Sequence, residues 1–124
     1  MTEGTSRILV VDDDEAILDS LRDLLESEGY GVDVAHDGRE ALQKLAGMDP
    51  PQLILLDLKM PVMDGWQFLS ERSANTASPK VPVVLLSGLP FIPNALGVSD
   101  FLSKPIKPSR LLDCVRRFCR PPGG

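Results

Sequence analysis

The stretch Ile8-Leu9-Val10-Val11-Asp12-Asp13 places four apolar residues directly before two carboxylates. Three later stretches repeat this arrangement, since in each a short, mainly apolar run is followed directly by a polar residue. They are Leu53-Ile54-Leu55-Leu56 before Asp57, Val83-Val84-Leu85-Leu86 before Ser87, and Phe101-Leu102-Ser103 before Lys104. Short apolar runs bounded by turn residues are typical of buried parallel strands. Ligands bind beyond the carboxyl ends of such strands, so we expect these polar residues to converge at one site.

The composition is that of one domain with its own core. The chain has 124 residues, of which 43% are apolar, and this is enough to bury a core without disulfides or structural metals. The net charge of −5 does not favour binding to nucleic acid or to an anionic membrane. We therefore expect protein partners.

The ends and cysteines indicate a cytoplasmic chain. Residues 1–7 are polar, and neither a signal peptide nor a segment of membrane-spanning length is present in the sequence. Cys114 and Cys119 do not form a C-x-x-C motif, and two cysteines on one predicted helix cannot build a disulfide framework. We expect reduced, structural thiols and a cytoplasmic location.

The segments between the apolar runs have helical periodicity. The first helix is predicted to begin after Asp14, its N-cap, and to end at Gly29, with a short second strand at residues 32–35. Further helices are predicted after the turn at residues 36–38, near residues 64–65, and after Ser109, which is the predicted cap of the last helix. The single histidine, His36, lies in the predicted turn and is expected to be exposed to solvent.

This alternation predicts an α/β fold of the (βα)₅ type. Right-handed crossovers place helices on both faces of a five-stranded parallel sheet, which is the doubly wound arrangement. The predicted domain spans residues 1–120. Residues 121–124, Pro-Pro-Gly-Gly, are either a plain tail or the start of a linker.

The converging carboxylates Asp12, Asp13 and Asp57 need a compensating charge, because three carboxylates in close contact repel one another. An all-oxygen cluster favours Mg²⁺, or Mn²⁺, over Zn²⁺. Lys104 could then neutralise a transferred phosphoryl group, and the Ser87 hydroxyl could hydrogen-bond one of its oxygens. Asp57 stands alone at its strand end, so it is the best candidate for a nucleophile that forms an aspartyl phosphate.

These residues resemble the receiver domains of two-component response regulators, of which the bacterial chemotaxis regulator is the simplest form. The resemblance covers nearly the whole chain and depends on the order and spacing of several motifs. They are Leu9-Val10-Val11-Asp12-Asp13, residues 55–61 (LLDLKMP) followed by Met63-Asp64-Gly65, Leu86-Ser87-Gly88, and Phe101-Leu102-Ser103-Lys104-Pro105.

The resemblance implies a flavodoxin-like fold with strand order 2-1-3-4-5. It further implies that Asp12, Asp13 and Asp57 hold Mg²⁺, helped by the backbone carbonyl of Lys59, and that Asp57 accepts phosphate from a histidine kinase or phosphotransfer protein. Such a domain is not an enzyme beyond catalysing its own phosphorylation and dephosphorylation. Its output target is an unidentified protein, with no direct binding of DNA or membrane by this domain.

The remaining site residues also follow from the resemblance. Ser87 takes the position of the family's switch hydroxyl, and Lys104 that of the phosphoryl contact, with a cis peptide bond before Pro105. Phe101 matches the switch aromatic, which turns inward when the Ser87 hydroxyl moves onto the phosphoryl group. Lys59 and Leu89 occupy positions that tune phosphate lifetime in the family.

One segment departs from the family pattern. From Ser87 to Lys104 the chain advances 17 positions (104 − 87), which is several fewer than receiver domains usually have there. Pro90, Pro93 and Gly97 interrupt this segment, so we expect a shortened fourth helix of little more than one turn.

Three alternatives remain open. A flavin-binding domain could share the fold, although acidic residues 12–15 would repel a phosphate after the first strand. A Mg²⁺-dependent phosphatase could share the aspartyl phosphate, although the residue two positions after Asp57 is Lys59 rather than a second Asp. The third alternative is a receiver-like scaffold that binds proteins without phosphorylation.

Overall fold

A computed structural model of the chain describes residues 7–47, 49–57, 81–88 and 98–119. These residues form five strands and three helices, which alternate in the first half of the chain. The strands are β1 (Arg7–Val11), β2 (Gly31–Ala35), β3 (Leu53–Asp57), β4 (Val83–Ser87) and β5 (Asp100–Ser103). The helices are α1 (Glu15–Ser27), α2 (Gly38–Gly47) and α3 (Pro108–Phe118).

The five strands form one parallel sheet in the order β2-β1-β3-β4-β5. The prediction of a doubly wound α/β fold with strand order 2-1-3-4-5 is therefore confirmed. Every residue of β3 and of β4 is buried, because these strands lie inside the sheet with side chains packed on both faces. The edge strand β5 instead alternates between partly buried and exposed residues.

Each face of the sheet packs against a different set of helices. On one face, α1 and α3 bury their apolar stripes against residues of β1, β3 and β4. On the other face, α2 contributes Ala41, with Leu42 and Leu45 packed at the margin of the cluster. The helices cover both faces of the sheet but not its edge at the carboxyl ends of the strands. Polar groups can therefore gather at that edge.

The helix ends show which local predictions hold. The Asp14 side chain accepts hydrogen bonds from the backbone N–H groups of Ala16 and Ile17, which confirms it as the N-cap of α1. Gly29 follows that helix with a φ of 93°, a conformation that glycine adopts without the penalty of a Cβ atom.

The predicted cap of the last helix was wrong. Helix α3 begins at Pro108, two residues earlier than predicted, and its N-cap residue is Lys107, with no side-chain cap hydrogen bond. Proline at the first helical position has a fixed φ that suits the helix and lacks an N–H that would need a partner there. Ser109 is therefore already inside the helix.

Some predictions lie outside the described residues. They concern the helix near residues 64–65, the shortened fourth helix, Lys59, Leu89 and the tail at residues 121–124. Within the part of the chain that the structure describes, no helix has the length and apolar character needed to cross a membrane.

Candidate functional site

Polar side chains from four strand ends meet at one edge of the sheet. Lys104, directly after β5, places its Nζ 3.1 Å from Oδ2 of Asp12, which follows β1. The same Nζ lies 3.2 Å from Oδ1 of Asp57, the last residue of β3. Asp12 and Asp57, which lie 92 and 47 positions before Lys104 in the sequence, thus share its ammonium group. The predicted convergence of Asp12, Asp57 and Lys104 is present.

Asp12 is fixed in place by hydrogen bonds from several directions. Its side chain is buried, its Oδ1 accepts a hydrogen bond of 2.9 Å from the Asp14 backbone N–H, and its Oδ2 accepts one from Lys104. Its own backbone N–H donates to the Ala35 carbonyl over 3.1 Å and so continues the pairing of β1 with β2. A buried carboxylate is costly unless it is paired, and these contacts provide the pairing.

The three consecutive aspartates at the end of β1 have different environments. Asp12 is buried against Lys104, whereas Asp13 is exposed at the mouth of the site. Asp14 points back toward its own helix and caps α1. Only the first two therefore face the site, and the third stabilises the helix that follows it.

Ser87 and Lys104 are held together by the sheet itself. Ser87 is buried at the end of β4, and its carbonyl accepts a hydrogen bond of 2.8 Å from the Lys104 backbone N–H. This bond extends the β4–β5 pairing by one residue, and the Lys104–Pro105 peptide bond that follows is cis. Asp57 pairs with Leu86 in the neighbouring strand β4. Ser87 is the residue that follows Leu86, so it lies next to the strand end that carries Asp57.

The charge on Lys104 is favoured by its surroundings. Burial of the side chain favours the neutral amine, but the hydrogen bonds and charges of Asp12 and Asp57 outweigh it and raise the pKa of Lys104. The ammonium group therefore remains protonated. It is a fixed positive charge beside Asp57.

The carboxylates fit a hard divalent cation. Asp12, Asp13 and Asp57 each offer one oxygen, and these oxygens all lie within 4.8 Å of one another. The donor set contains oxygen atoms only, which is the set that Mg²⁺ and Mn²⁺ prefer. The three residues therefore fit magnesium as the sequence predicts, and the geometry leaves the Lys104 ammonium on the flank of the cluster.

Phe101 lies on the edge strand, away from the carboxylates. Its side chain is 49% exposed, and it is the exposed large hydrophobic residue among the described ranges. In the sheet it is aligned with Leu85, two residues before Ser87 on the adjacent strand. Since alternate residues of a strand share a face, Phe101 and Ser87 lie on the same side of neighbouring strands.

His36 lies in the predicted turn and is partly exposed to solvent, but it also makes contacts that were not predicted. Its side chain is 44% exposed, and both ring nitrogens contact carboxylates, Nδ1 that of Glu40 and Nε2 that of Glu15. Sequence reasoning missed this cluster, although a usable signal was present. Glu15 and Glu40 both lie in the first turns of predicted helices that follow neighbouring strands, and these helix starts meet at the same edge of the sheet.

A comparison with protein families identifies the chain. The sequence model of the response regulator receiver domain family matches residues 8–116, a range that includes all four strand ends of the site. The chain belongs to the response regulator receiver domain family. The suspected resemblance is thus confirmed, and receiver domains of this kind are generally not enzymes in the usual sense.

Curated relatives of this receiver domain are themselves response regulators. Response regulator MprA of Mycobacterium avium (strain 104) is 37% identical over 119 residues, a match that covers 92% of this chain and 51% of the relative. MprA of Mycobacterium tuberculosis (strain ATCC 25177 / H37Ra) is also 37% identical, with 92% and 50% coverage. The chain spans about half the length of these relatives.

Solved structures share the receiver fold. Chemotaxis protein CheY4 of Vibrio cholerae superimposes with a TM-score of 0.83 at 31% identity, covering 92% of this chain and 98% of CheY4. The receiver domain of sensor histidine kinase PA1611 from Pseudomonas aeruginosa PAO1 gives a TM-score of 0.81 at 28% identity, with 92% and 97% coverage. The PA1611 domain is described with a magnesium ion coordinated in its active-site cleft.

Proposed function

We propose that this receiver domain accepts a phosphoryl group on Asp57 and signals through a change at Ser87 and Phe101. The observation that supports this most strongly is the Lys104 ammonium, which lies within 3.2 Å of both Asp12 and Asp57 beside a cluster of three carboxylates. A nucleophilic carboxylate flanked by a fixed cation and a metal-binding pair is the arrangement that phosphoryl transfer requires.

The phosphoryl donor is proposed to be a sensor histidine kinase or a phosphotransfer protein. A carboxylate oxygen of Asp57 attacks the phosphorus, a new O–P bond forms, and the N–P bond to the donor histidine breaks. The bonding electrons remain on the histidine nitrogen, which is then protonated. Asp57 is nearly buried, so the donor group has to enter through the mouth where Asp13 is exposed.

The proposed magnesium ligands are Asp12, Asp13, Asp57 and the backbone carbonyl of Lys59, with Mn²⁺ as a possible substitute. When bound, the ion would offset the repulsion among the carboxylates and the phosphoryl oxygens. The chain's own contribution is to hold these groups ready. Asp12 is oriented by the Asp14 backbone N–H, and Lys104 holds a positive charge where negative charge arrives.

The signalling step is proposed to begin at Ser87. Its hydroxyl would donate a hydrogen bond to a phosphoryl oxygen, while the Lys104 ammonium contacts another. Movement of Ser87 would open space on the sheet face that it shares with Phe101, whose half-exposed ring could then turn inward. An added charge near −2 is in this way converted into a change of surface on β5.

The same site would control how long the phosphate lasts. Hydrolysis by water at the phosphorus returns Asp57 to its carboxylate, so the domain catalyses only its own phosphorylation and dephosphorylation. Lys59 and Leu89 are the proposed lifetime-tuning residues. The output target is proposed to be a protein, and the domain itself is not proposed to bind DNA or membrane.

The arginines near the C-terminus support this last point. Arg116 lies within 4 Å of the Glu28 and Asp113 carboxylates, and Arg117 pairs with Asp100. These charges are thus partly neutralised within the domain, and basic residues in the last turn of a helix also complement its dipole. The proposed domain covers residues 1–120, with residues 121–124 as a tail or linker start.

Phosphorylation can be tested with a small donor and no kinase. Incubation with acetyl phosphate and Mg²⁺, followed by intact mass spectrometry, should add one phosphoryl group to the wild type and none to Asp57→Asn. The matched control is Asp23→Asn, which changes an exposed carboxylate of α1 and should be labelled like the wild type. An unlabelled wild type would favour the phosphorylation-independent scaffold, and repeated turnover of small phosphomonoesters would favour a phosphatase.

A further inference from the structure

His36 joins the starts of two helices that lie on opposite faces of the sheet. It follows β2 directly, and its Nδ1 lies 2.9 Å from Oε1 of Glu40, in the first turn of α2. Its Nε2 contacts Oε1 of Glu15, the first residue of α1. The backbone N–H of His36 also donates to Glu40 Oε1 over 2.6 Å.

The protonation state follows from counting hydrogen-bond donors. A neutral imidazole has one N–H and one lone pair, so it can donate to only one of two ionised carboxylates. An imidazolium has two N–H groups and can donate to both. A histidine whose two ring nitrogens each face a different carboxylate is therefore satisfied only when it carries the proton.

The surrounding charges support the same state. The hydrogen bonds of Glu40 and Glu15 raise the pKa of His36 against the opposing effect of burial. Burial favours the neutral form of Glu40, but its hydrogen bonds with His36 and the charges of His36 and Lys44 lower the pKa of Glu40. Lys44 Nζ lies 3.6 Å from Glu40 Oε2, and the Asp37 carboxylate accepts from the Glu40 backbone N–H.

We propose that His36 is a proton-dependent clamp that ties the first turn of α1 to the first turn of α2. When the ring is protonated, it bridges Glu15 and Glu40. When the proton leaves, one ring nitrogen presents a lone pair to a carboxylate, and that half of the bridge is lost. This role concerns the anchoring of α1 and α2 and is independent of phosphorylation at Asp57.

The direction of the pH effect is fixed by linkage. A histidine whose pKa is raised on folding contributes stability that is fully present below the unfolded value of about 6.5. The contribution is lost as the pH rises through the folded pKa. The bridge should therefore hold in mildly acidic solution and open on the alkaline side.

The clamp can be measured directly because the chain contains only one histidine. An NMR titration of its ring carbon-bound protons should give a pKa above about 6.5 in the wild type. Glu15→Gln and Glu40→Gln should each lower that pKa, since each removes one negative charge but leaves a polar group. The control Asp19→Asn changes an α1 carboxylate that pairs with Arg22 and should leave the titration of His36 unchanged.

A double-mutant cycle between His36→Gln and Glu15→Gln separates the clamp from simple packing. The coupling in unfolding free energy should be larger about one pH unit below the ordinary histidine pKa than above the folded pKa that the titration measures. A His36 pKa near the ordinary histidine value of about 6.5 that neither Glu15→Gln nor Glu40→Gln lowers would overturn the proposal. If His36→Gln fails to fold, the titrations of His36 in Glu15→Gln and Glu40→Gln still test the proposal.

Discussion

Lys104 Nζ lies 3.2 Å from Asp57 Oδ1, although the two residues are 47 positions apart in the chain. The contact exists because β3 and β5 both end at the carboxyl edge of one parallel sheet, with β4 between them. The same ammonium reaches Asp12, so one positive charge is shared by two nearly buried carboxylates. The stability of this edge therefore depends on balanced charge.

Removal of Lys104 should destabilise the domain when no divalent cation is present. We expect Lys104→Met to lower the free energy of unfolding by about 1–3 kcal/mol, because Asp12 and Asp57 lose their charged donor and repel each other. Urea denaturation in chelated buffer measures this. The control is Lys107→Met, at an exposed lysine, and equal losses in both variants would contradict the expected role of Lys104.

Magnesium should stabilise the folded domain by mass action. A cation that binds only the folded state adds RT ln(1 + [L]/Kd), or about 2.7 kcal/mol at a hundred times Kd. Millimolar Mg²⁺ should thus raise the melting temperature of the wild type and of the control Asp23→Ala, but not of Asp13→Ala. Melting curves that do not respond to Mg²⁺ in the wild type would refute the assignment of the carboxylate cluster to a metal.

The neighbouring Asp14 should behave differently from Asp13. Asp14→Ala should cost about 1 kcal/mol of stability, because two N–H groups at the start of α1 lose their acceptor, whereas Asp14→Ser should retain most of it. Both variants should keep the stabilisation by Mg²⁺, which thermal melting can measure with and without the ion. Loss of the Mg²⁺ response in Asp14→Ser would mean that Asp14 contributes to the cation site.

Cys119, the residue that directly follows α3, should be inert in the folded protein. Burial, with a smaller contribution from Cys114, raises the pKa of Cys119 to about 11. Alkylation near pH 8.5, the ordinary thiol pKa, should therefore be much slower in the native state than in urea. Because the folded state holds this proton more tightly, the stability from Cys119 should be full below about pH 8.5 and decline toward pH 11. Equal native and denatured alkylation rates would contradict this.

The sequence predicted the strands and the site because the same residues carry both signals. Four-residue apolar runs such as Leu53-Ile54-Leu55-Leu56 identify buried strands, and the polar residue that ends each run must lie at the common edge of the sheet. Asp14 was also recognisable as a cap, since its side chain acts within three residues of its own position.

The errors arose where a local pattern allowed two outcomes or where the contact was distant. Ser109 is a good capping residue, but Pro108 can occupy the first helical position, so the helix starts closer to the N-terminus of the chain than the cap prediction implies. The contact of His36 with Glu15 joins residues 21 positions apart on different elements, so helical or strand periodicity does not predict it. Only the meeting of the two helix starts at one edge of the sheet indicates it. The domain bounds, the cytoplasmic location and the roles of Lys59 and Leu89 remain predictions.

The central claim is that strand ends distant in sequence build one phosphoacceptor site centred on Asp57. Its most direct test locates the phosphoryl group after labelling with acetyl phosphate and Mg²⁺. Borohydride reduces an acyl phosphate to an alcohol, so peptide mass spectrometry then reads the labelled position as homoserine in place of aspartate. We predict homoserine at position 57 alone. Homoserine at position 12 or 13, or at no position in the site, would contradict the account.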